Sequence, residues 1–474
     1  MRLCWDGFFV SGFCYLICLT TGSAGEFEID CAKPIGTIRP LHGGNCGPLQ
    51  YGGVLDFSKQ FKELGAPLIR LHDCHWPNPD VVDIHTVFPD ADADPSLPEN
   101  YDFRRTDAYI DGIVKTGSGL VYRLGESIEH TPERRHVHPP KDPEKWAASC
   151  VGIIRHYNEG WARGFNHDIR YWEIWNEPEN RPAMWSGTDE QYFKLYGATA
   201  KAIKARWPDL KVGGPSLGYT GKITEGRFEP GEFLTKFLAH CRDHELPLDF
   251  FSWHLYTSDP SECVVRAKGI RAELGKHGFE KTELHLNEWN FLPESDWAPM
   301  MAAAQGRQRA DWFKRIHDAE GAAFTASVLT NLQDSPVDVA NYYSFTHHGF
   351  GVFNTEGVAH KPFYSLLAFR RLLECPHRVA VTTTAEFTAL AGLNLEKTEL
   401  RVLLGNTGCQ DRSIKLTTAN LPWQGPTRYE VAVVDANKNL VIASSGSWDR
   451  TLELGEVLAA PSVGLLRLWP VVQE

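Results

Sequence analysis

The feature that most constrains this chain is an alternation repeated eight times between about residue 35 and residue 373. Short runs of β-branched and aromatic residues start at Ile35, Leu68, Gly119, Ile169, Leu210, Asp249, Glu283 and Val339. Between them lie segments with apolar residues at helical spacing, such as Phe57, Phe61 and Leu64, or Phe193, Tyr196, Ala200, Ile203 and Trp207. Alternating strands and helices build a parallel sheet covered by helices. Eight such units predict a closed (β/α)8 TIM barrel, an α/β fold. The chain has 474 residues, more than a barrel alone needs, so a second module is expected. From residue 375 the character changes. Short strands at 379–381, 387–393, 400–404, 414–416, 429–434 and 463–468 are separated by turn residues, which predicts a C-terminal β-sandwich over 375–474. Residues 26–30 alternate like an edge strand and are free to join that sandwich rather than the barrel at 25–374.

Residues 1–24 read as a secretory signal peptide. Arg2 precedes apolar runs at 8–10 and 13–19, and small residues at 21–25 offer a cleavage site near Ala24. A short N-terminal anchor or a misplaced start is the alternative. The segment is short for a membrane span, and no later run reaches that length. The expected location is therefore secreted or otherwise extracytoplasmic, with no membrane contact once the signal is removed. A net charge of −12 argues against nucleic-acid partners, which call for basic surfaces. Of 11 cysteines, Cys4, Cys14 and Cys18 fall in the signal, and the rest form no C-x-x-C pair, so a zinc or redox motif is not expected. A long segment at 73–102 carries Asp80, Asp83, Asp90, Asp92 and Asp94. It lacks EF-hand spacing and reads as a solvated acidic loop rather than a calcium site. Its position after a strand makes it a wall of a cleft. No metal or organic cofactor is expected.

The chemistry concentrates at two strand tips. Residues 169–178 read I-R-Y-W-E-I-W-N-E-P. Pro178 cannot donate to a ladder, so pairing stops there and leaves Asn176 and Glu177 at the strand's C-terminal end. In a parallel barrel that is the face where catalytic residues sit. Residues 283–290, E-L-H-L-N-E-W-N, place Glu288 at the corresponding end of the seventh strand. A pair of carboxylates flanking a glycosidic bond is what glycoside hydrolysis requires: one protonated to serve the leaving oxygen, one ionised to attack the anomeric carbon. N-E-P alone is a common tripeptide, and strand position plus a partner give it weight. The pattern does not say which glutamate takes which role. The high aromatic share of 12%, with 15 Trp, suits sugar stacking, although barrel packing also uses such residues.

With L-G-A-P-L-I-R-L-H-D at 64–73, Y-W-E-I-W-N-E-P at 171–178, F-S-W-H-L-Y at 251–256 and L-H-L-N-E-W-N at 284–290, the sequence resembles glycoside hydrolase family 39. This is the β-xylosidase and α-L-iduronidase family of retaining barrel glycosidases, and the resemblance covers roughly residues 30–470. It implies that Glu177 is the acid/base and Glu288 the nucleophile. It places Asn176 on the sugar 2-hydroxyl, and His254 and Tyr256 beside the nucleophile. Arg70 is expected to lower the nucleophile's pKa, His72 to reach the sugar, and Glu126 to contact sugar hydroxyls from the third strand's tip. The bland readings are core histidines for His72 and His254, barrel packing for Tyr256 and a structural ion pair for Glu173. The sequence departs from the family after strand eight. There, Tyr343 stands in place of a Trp platform and His347 in place of an acid, so the sugar is not fixed by the resemblance. The expected function is a retaining glycosidase, β-xylosidase-like or a related exo-glycosidase, with a carboxylate separation of about 5–5.5 Å and an acid whose pKa is raised towards about 6. A non-catalytic glycan-binding protein and a transglycosylase on the same barrel are the alternatives.

Overall fold

The computed structural model describes residues 25–73, 78, 81–301, 303–383, 387–409 and 414–471. The expected signal segment 1–24, Cys74 and Asp80 lie outside the described residues. Eight strands close a barrel in the order Gly43–Asn45, Leu68–Arg70, Gly119–Leu124, Tyr171–Ile174, Lys211–Leu217, Phe250–Thr257, Glu283–Phe291 and Val339–Tyr342. Every neighbouring pair is parallel, including the closing pair of strand eight with strand one. All C-terminal tips therefore open on one face, and that rim collects the chemistry.

Strand one corrects the sequence reading. The run beginning at Ile35 is not in the barrel, and Ile35 is 51% exposed. The barrel strand is the three-residue Gly-Gly-Asn stretch at Gly43–Asn45. A Cβ on Gly43 would stand 2.7 Å from the backbone oxygens of both Ala340 and Leu68, and one on Gly44 would stand 2.4 Å from the Phe345 ring. Strand one is thin because its neighbours already fill the space side chains would need.

The mostly helical stretch from 305 to 333 is two helices. Gly306–His317 ends at Asp318, which leaves helical geometry and caps Ala319–Asn331 by accepting the Ala319 N–H. The second helix is buried almost all round, because it lies between barrel strand Glu283–Phe291 and the accessory sheet. The acidic loop after strand two is not uniformly solvated. Asp83 is buried and held by Arg123 Nη2 (3.0 Å) and by the Ser127 amide and hydroxyl.

The accessory module is one mostly antiparallel nine-stranded sheet that folds over its own core. Along Leu400–Asn406 the side chains alternate. Leu400, Val402 and Leu404 enter the core with Leu416, Val431 and Leu466, while Leu403 faces the barrel core with Leu390 and Leu465. The strand Glu26–Thr37 is no edge. It extends seven residues past Asp30 and lies inside the sheet, antiparallel to His377–Thr383 and parallel to Lys415–Ala419. Phe27 and Ile29 are fully buried there. Two further strands, Asn439–Trp448 and Thr451–Glu453, are absent from the sequence reading. Among the described residues, no helix is long and apolar enough to cross a membrane. Seven described cysteines carry free thiols.

Candidate active site

Glu177 and Glu288 face each other across the barrel mouth. One carboxylate oxygen of each lies with a His254 ring nitrogen so that all three atoms are within 4.8 Å of one another. The backbone that delivers Glu177 is unusual. Trp175 (φ 71°) and Glu177 (φ 44°) both sit in the left-handed region, on either side of Asn176, and Ser216 (φ 60°) does so at the next strand's tip. Bulky residues enter that region at a cost and need surrounding structure to hold them. Here the Trp175 N–H donates to the Leu124 carbonyl (2.7 Å) and the Glu177 N–H to the Ser216 carbonyl (3.0 Å). The Trp175 indole donates to the Met184 carbonyl (2.8 Å).

The environments of the two glutamates differ in kind. Glu288 is buried, with its side chain 4% exposed, and accepts from several donors. Its Oε1 takes Arg70 Nη1 (2.9 Å) and His72 Nε2 (2.7 Å), with His254 Nε2 at 3.4 Å. Its Oε2 accepts from the Tyr256 hydroxyl (2.7 Å). Burial alone would raise its pKa. The positive charges of His254, His72 and Arg70 and the His72 hydrogen bond outweigh burial and hold it far below the usual carboxylate range. Tyr256 moves the other way, pushed well above its ordinary value by burial and then by the Glu288 charge, so its hydroxyl stays a donor.

Glu177 is more open, with its side chain 16% exposed. Its Oε1 meets His254 Nδ1 (2.7 Å) and its Oε2 accepts from Asn180 Nδ2 (2.8 Å). His254 thus stands between the two carboxylates. Burial disfavours its charge, but the Glu288 charge and the Glu177 contact win and raise its pKa. Its Nε2 also meets the Ser216 hydroxyl (2.7 Å).

Beneath these groups a buried polar floor fixes the geometry. Arg70 Nε pairs with Glu173 (2.6 Å), and its Nη2 donates to Asn176 Oδ1 (2.6 Å) and Ser216 Oγ (2.8 Å). Asn287 Nδ2 donates to Glu173 Oε1. Glu173 therefore makes a buried ion pair. Every arm of Arg70 is bonded to protein, Nη1 also to Asn45 Oδ1 (3.2 Å). Asn176 Oδ1 is likewise occupied by Arg70 and Ser216 Oγ (2.9 Å), and its Nδ2 takes part in none of these bonds. His72 holds Glu288 through Nε2 and approaches Asp73 Oδ2 (3.1 Å) through Nδ1. Tyr343 lies edge-on to His72, with ring centroids 5.0 Å apart. His347 packs beside Tyr51 (5.2 Å).

Glu126 stands apart from this group. One oxygen meets the His85 ring and the other accepts the His85 amide (3.1 Å). Burial, opposed by the His85 contact and reinforced by Asp83, pushes its pKa up to about 7. Among the described residues, two groups of side chains have metal-ligand atoms close together, Glu177–His254–Glu288 and Asp83–His85–Glu126. Each already carries a guanidinium, Arg70 on Glu288 and Arg123 on Asp83, which opposes a further cation.

Sequence reasoning missed Ser216, Asn287, Glu179 and Gly218. Glu179 lies two residues past Glu177. Its Oε1 accepts from the Tyr219 N–H (2.9 Å), and burial plus the Glu177 charge push its pKa up to about 8. A Cβ on Gly218 would stand 2.5 Å from Glu177 Oε1. The tripeptide G-P-S at the end of strand five was the available signal for Ser216. The others are visible only once strands four, five and seven are placed side by side.

The family model for glycosyl hydrolases family 39 matches residues 44–380. A curated β-xylosidase of Geobacillus stearothermophilus is 27% identical over 333 residues, covering 60% of this chain and 59% of that protein. A β-xylosidase of Caldicellulosiruptor saccharolyticus is 28% identical over 380 residues, covering 72% of this chain and 70% of that protein. The chain thus spans well under the full length of these curated relatives. Among solved structures, a glucosidase from Croceicoccus marinus superposes with a TM-score of 0.78 at 25% identity, covering 95% of this chain and all of that one.

Proposed function

Since this chain belongs to glycosyl hydrolases family 39, we propose that it is a retaining, β-xylosidase-like exo-glycosidase that acts by double displacement. The observation that carries the reading is the contrast between the two facing carboxylates. Glu288 is held ionised by Arg70, His72, His254 and Tyr256, as a nucleophile must be. Glu177 shares a 2.7 Å hydrogen bond with a histidine of raised pKa and reaches the opening, as an acid must. Their close approach, within 4.8 Å, favours the retaining spacing of about 5–5.5 Å over the inverting spacing of about 6.5–9.5 Å, which needs room for a water between them.

In the first step the protonated Glu177 carboxyl gives its proton to the leaving oxygen while a Glu288 oxygen bonds to the anomeric carbon. The glycosidic bond breaks, and an ester to the sugar forms. Tyr256 and Arg70 hold the attacking carboxylate in place. In the second step Glu177, now ionised, takes a proton from water, whose oxygen displaces Glu288. Asn176 Nδ2 supplies a donor for the 2-hydroxyl, an interaction that strengthens as charge develops. The relatives' names favour a β-xyloside, and Tyr343 and His347 mark where this chain's sugar contacts differ from the family pattern. The N-terminal 24 residues make the enzyme an exported one in this reading.

The test is product stereochemistry with a panel of aryl xylosides, arabinosides, glucosides and uronides. Retention at the anomeric carbon is expected, and inversion sinks the nucleophile assignment. Glu177→Ala should spare activated aryl glycosides and lose poor leaving groups. Glu288→Ala should lose both and resist labelling by a 2-fluoro sugar.

A further inference from the structure

We propose that Tyr219 forms the leaving-group subsite and selects substrates whose departing group carries a ring with a flat apolar face. The inference rests on the acid role given to Glu177, because the leaving oxygen must lie beside the carboxyl that protonates it.

Three features place Tyr219 at that carboxyl. Gly218 follows the fifth barrel strand, and a Cβ on it would stand 2.5 Å from Glu177 Oε1 and 2.9 Å from Cδ. The backbone at 218 therefore borders the acid directly. The Tyr219 N–H donates to Glu179 Oε1 (2.9 Å), two residues past Glu177, and the Glu177 N–H donates to the Ser216 carbonyl (3.0 Å). These bonds on either side of Gly218 tie the strand-five tip to the acid's own loop. The residue is 58% exposed. Its Cε1 lies 3.4 Å from where Gly231 would carry a side chain, so one edge rests on glycine backbone and the rest stands in solvent.

Among the described residues, two other aromatic residues are exposed, Tyr51 (42%) and Trp297 (38%). Both also follow barrel strands, Tyr51 the first and Trp297 the seventh. Trp297 packs on Tyr256, which serves Glu288, at 5.2 Å, and Tyr51 packs on His347. Of these three, Tyr219 is the one whose backbone is bonded to the loop that carries the acid, through Glu179. An exposed phenol ring offers a π face, which suits the C–H face of a pyranose or an aryl ring equally.

The experiment compares kcat/KM for leaving groups with and without a ring on the sugar that the wild-type enzyme hydrolyses. The ring-bearing substrates are a phenyl glycoside and a disaccharide, which separate aryl from sugar recognition. The ringless ones are a methyl glycoside and a glycosyl fluoride. Tyr219→Ala should lose about five- to tenfold on at least one ring-bearing substrate and nothing on the ringless pair, while Tyr219→Phe keeps wild-type values on all four. Equal loss on all four makes Tyr219 a support for the Glu177 loop and overturns the subsite, as does no loss on any. Glu177→Ala, assayed in parallel, separates the two failures. If it loses activated and poor leaving groups equally, the acid assignment falls and the subsite with it. If it spares the activated ones while Tyr219→Ala shows no ring dependence, the subsite alone falls.

Discussion

Gly218→Ala is the sharpest probe of the acid. The added methyl would lie 2.5 Å from Glu177 Oε1. Ordinary contact begins near 3.4 Å, so one partner must move by nearly an ångström. Gly218 is exposed and lies outside the left-handed region, so its backbone tolerates alanine and no core is overpacked. The carboxylate is the partner free to move, since its side chain is partly open to solvent. A displacement of about 1 Å at a reacting group is worth about a hundredfold in rate. For leaving groups that need protonation, kcat/KM should fall by roughly that factor, equivalent to about 2.7 kcal/mol. For dinitrophenyl glycosides, which depart unaided, it should change less than about threefold. Thermal unfolding should be unchanged. The assay is a plot of log kcat/KM against leaving-group pKa, which should steepen in the variant. A parallel drop across all leaving groups would show that Gly218 does not act through Glu177. Wild-type rates throughout would show that the carboxylate has room to spare.

Tyr256→Phe removes the donor on Glu288 Oε2, a charge-assisted bond worth about 1.5–3 kcal/mol, so kcat/KM should drop roughly ten- to a hundredfold on activated and poor substrates alike. Loss confined to poor leaving groups would contradict its place beside the nucleophile. Arg70→Met leaves Glu173 and Glu288 buried without their shared cation and should lower urea-unfolding stability by about 3–5 kcal/mol; a neutral effect would mean that the floor repacks. Stability should also fall as pH rises from about 6.5 to 8, above the range in which His42, His348 and His360, with pKa values lowered by burial to about 4, 3 and 4, work in the other sense. Glu126, near 7, and Glu179, near 8, hold protons in the fold that the unfolded chain has already lost above about 4.5. Glu288 works in the opposite sense. Its depressed pKa contributes stability above about 4.5 that is lost as acid is added below that value. Melting temperatures should therefore fall between about pH 6.5 and 8, and Glu126→Gln with Glu179→Gln should flatten that fall; an unchanged slope would refute the assignment.

The barrel was legible because seven of its strands announce themselves as short β-branched and aromatic runs between amphipathic segments. The eighth, Gly43–Asn45, was not, because its fitness lies in what its neighbours exclude, and a glycine carries no hydrophobic signal. The same gap hid Asn439–Trp448, a mostly exposed strand whose residues lack alternation. At the site, Glu177 and Glu288 could be paired because strand position fixes which face a tip occupies. Glu126 shows the limit of that rule. It occupies a strand tip, yet His85, forty-one residues earlier, binds it, and no local pattern foretells that contact. Ser216 and Gly218 act through atoms of other strands, so their roles depend on packing distances that spacing does not encode.

The strand Glu26–Thr37 sits between partners from the far end of the chain, and its bonds to Thr417 and Asn420 join residues 390 positions apart. This has a consequence for the order of assembly. While the barrel segments emerge from the ribosome, this strand must wait with both ladder edges open and with Phe27 and Ile29 in water. It closes only after nearly the whole chain has been made, a long-range pairing that slows folding and exposes a sticky edge meanwhile. The accessory sheet is therefore no detachable module. A chain cut after Leu373 would not release a clean barrel. It would release one with an orphan strand still looking for its sheet.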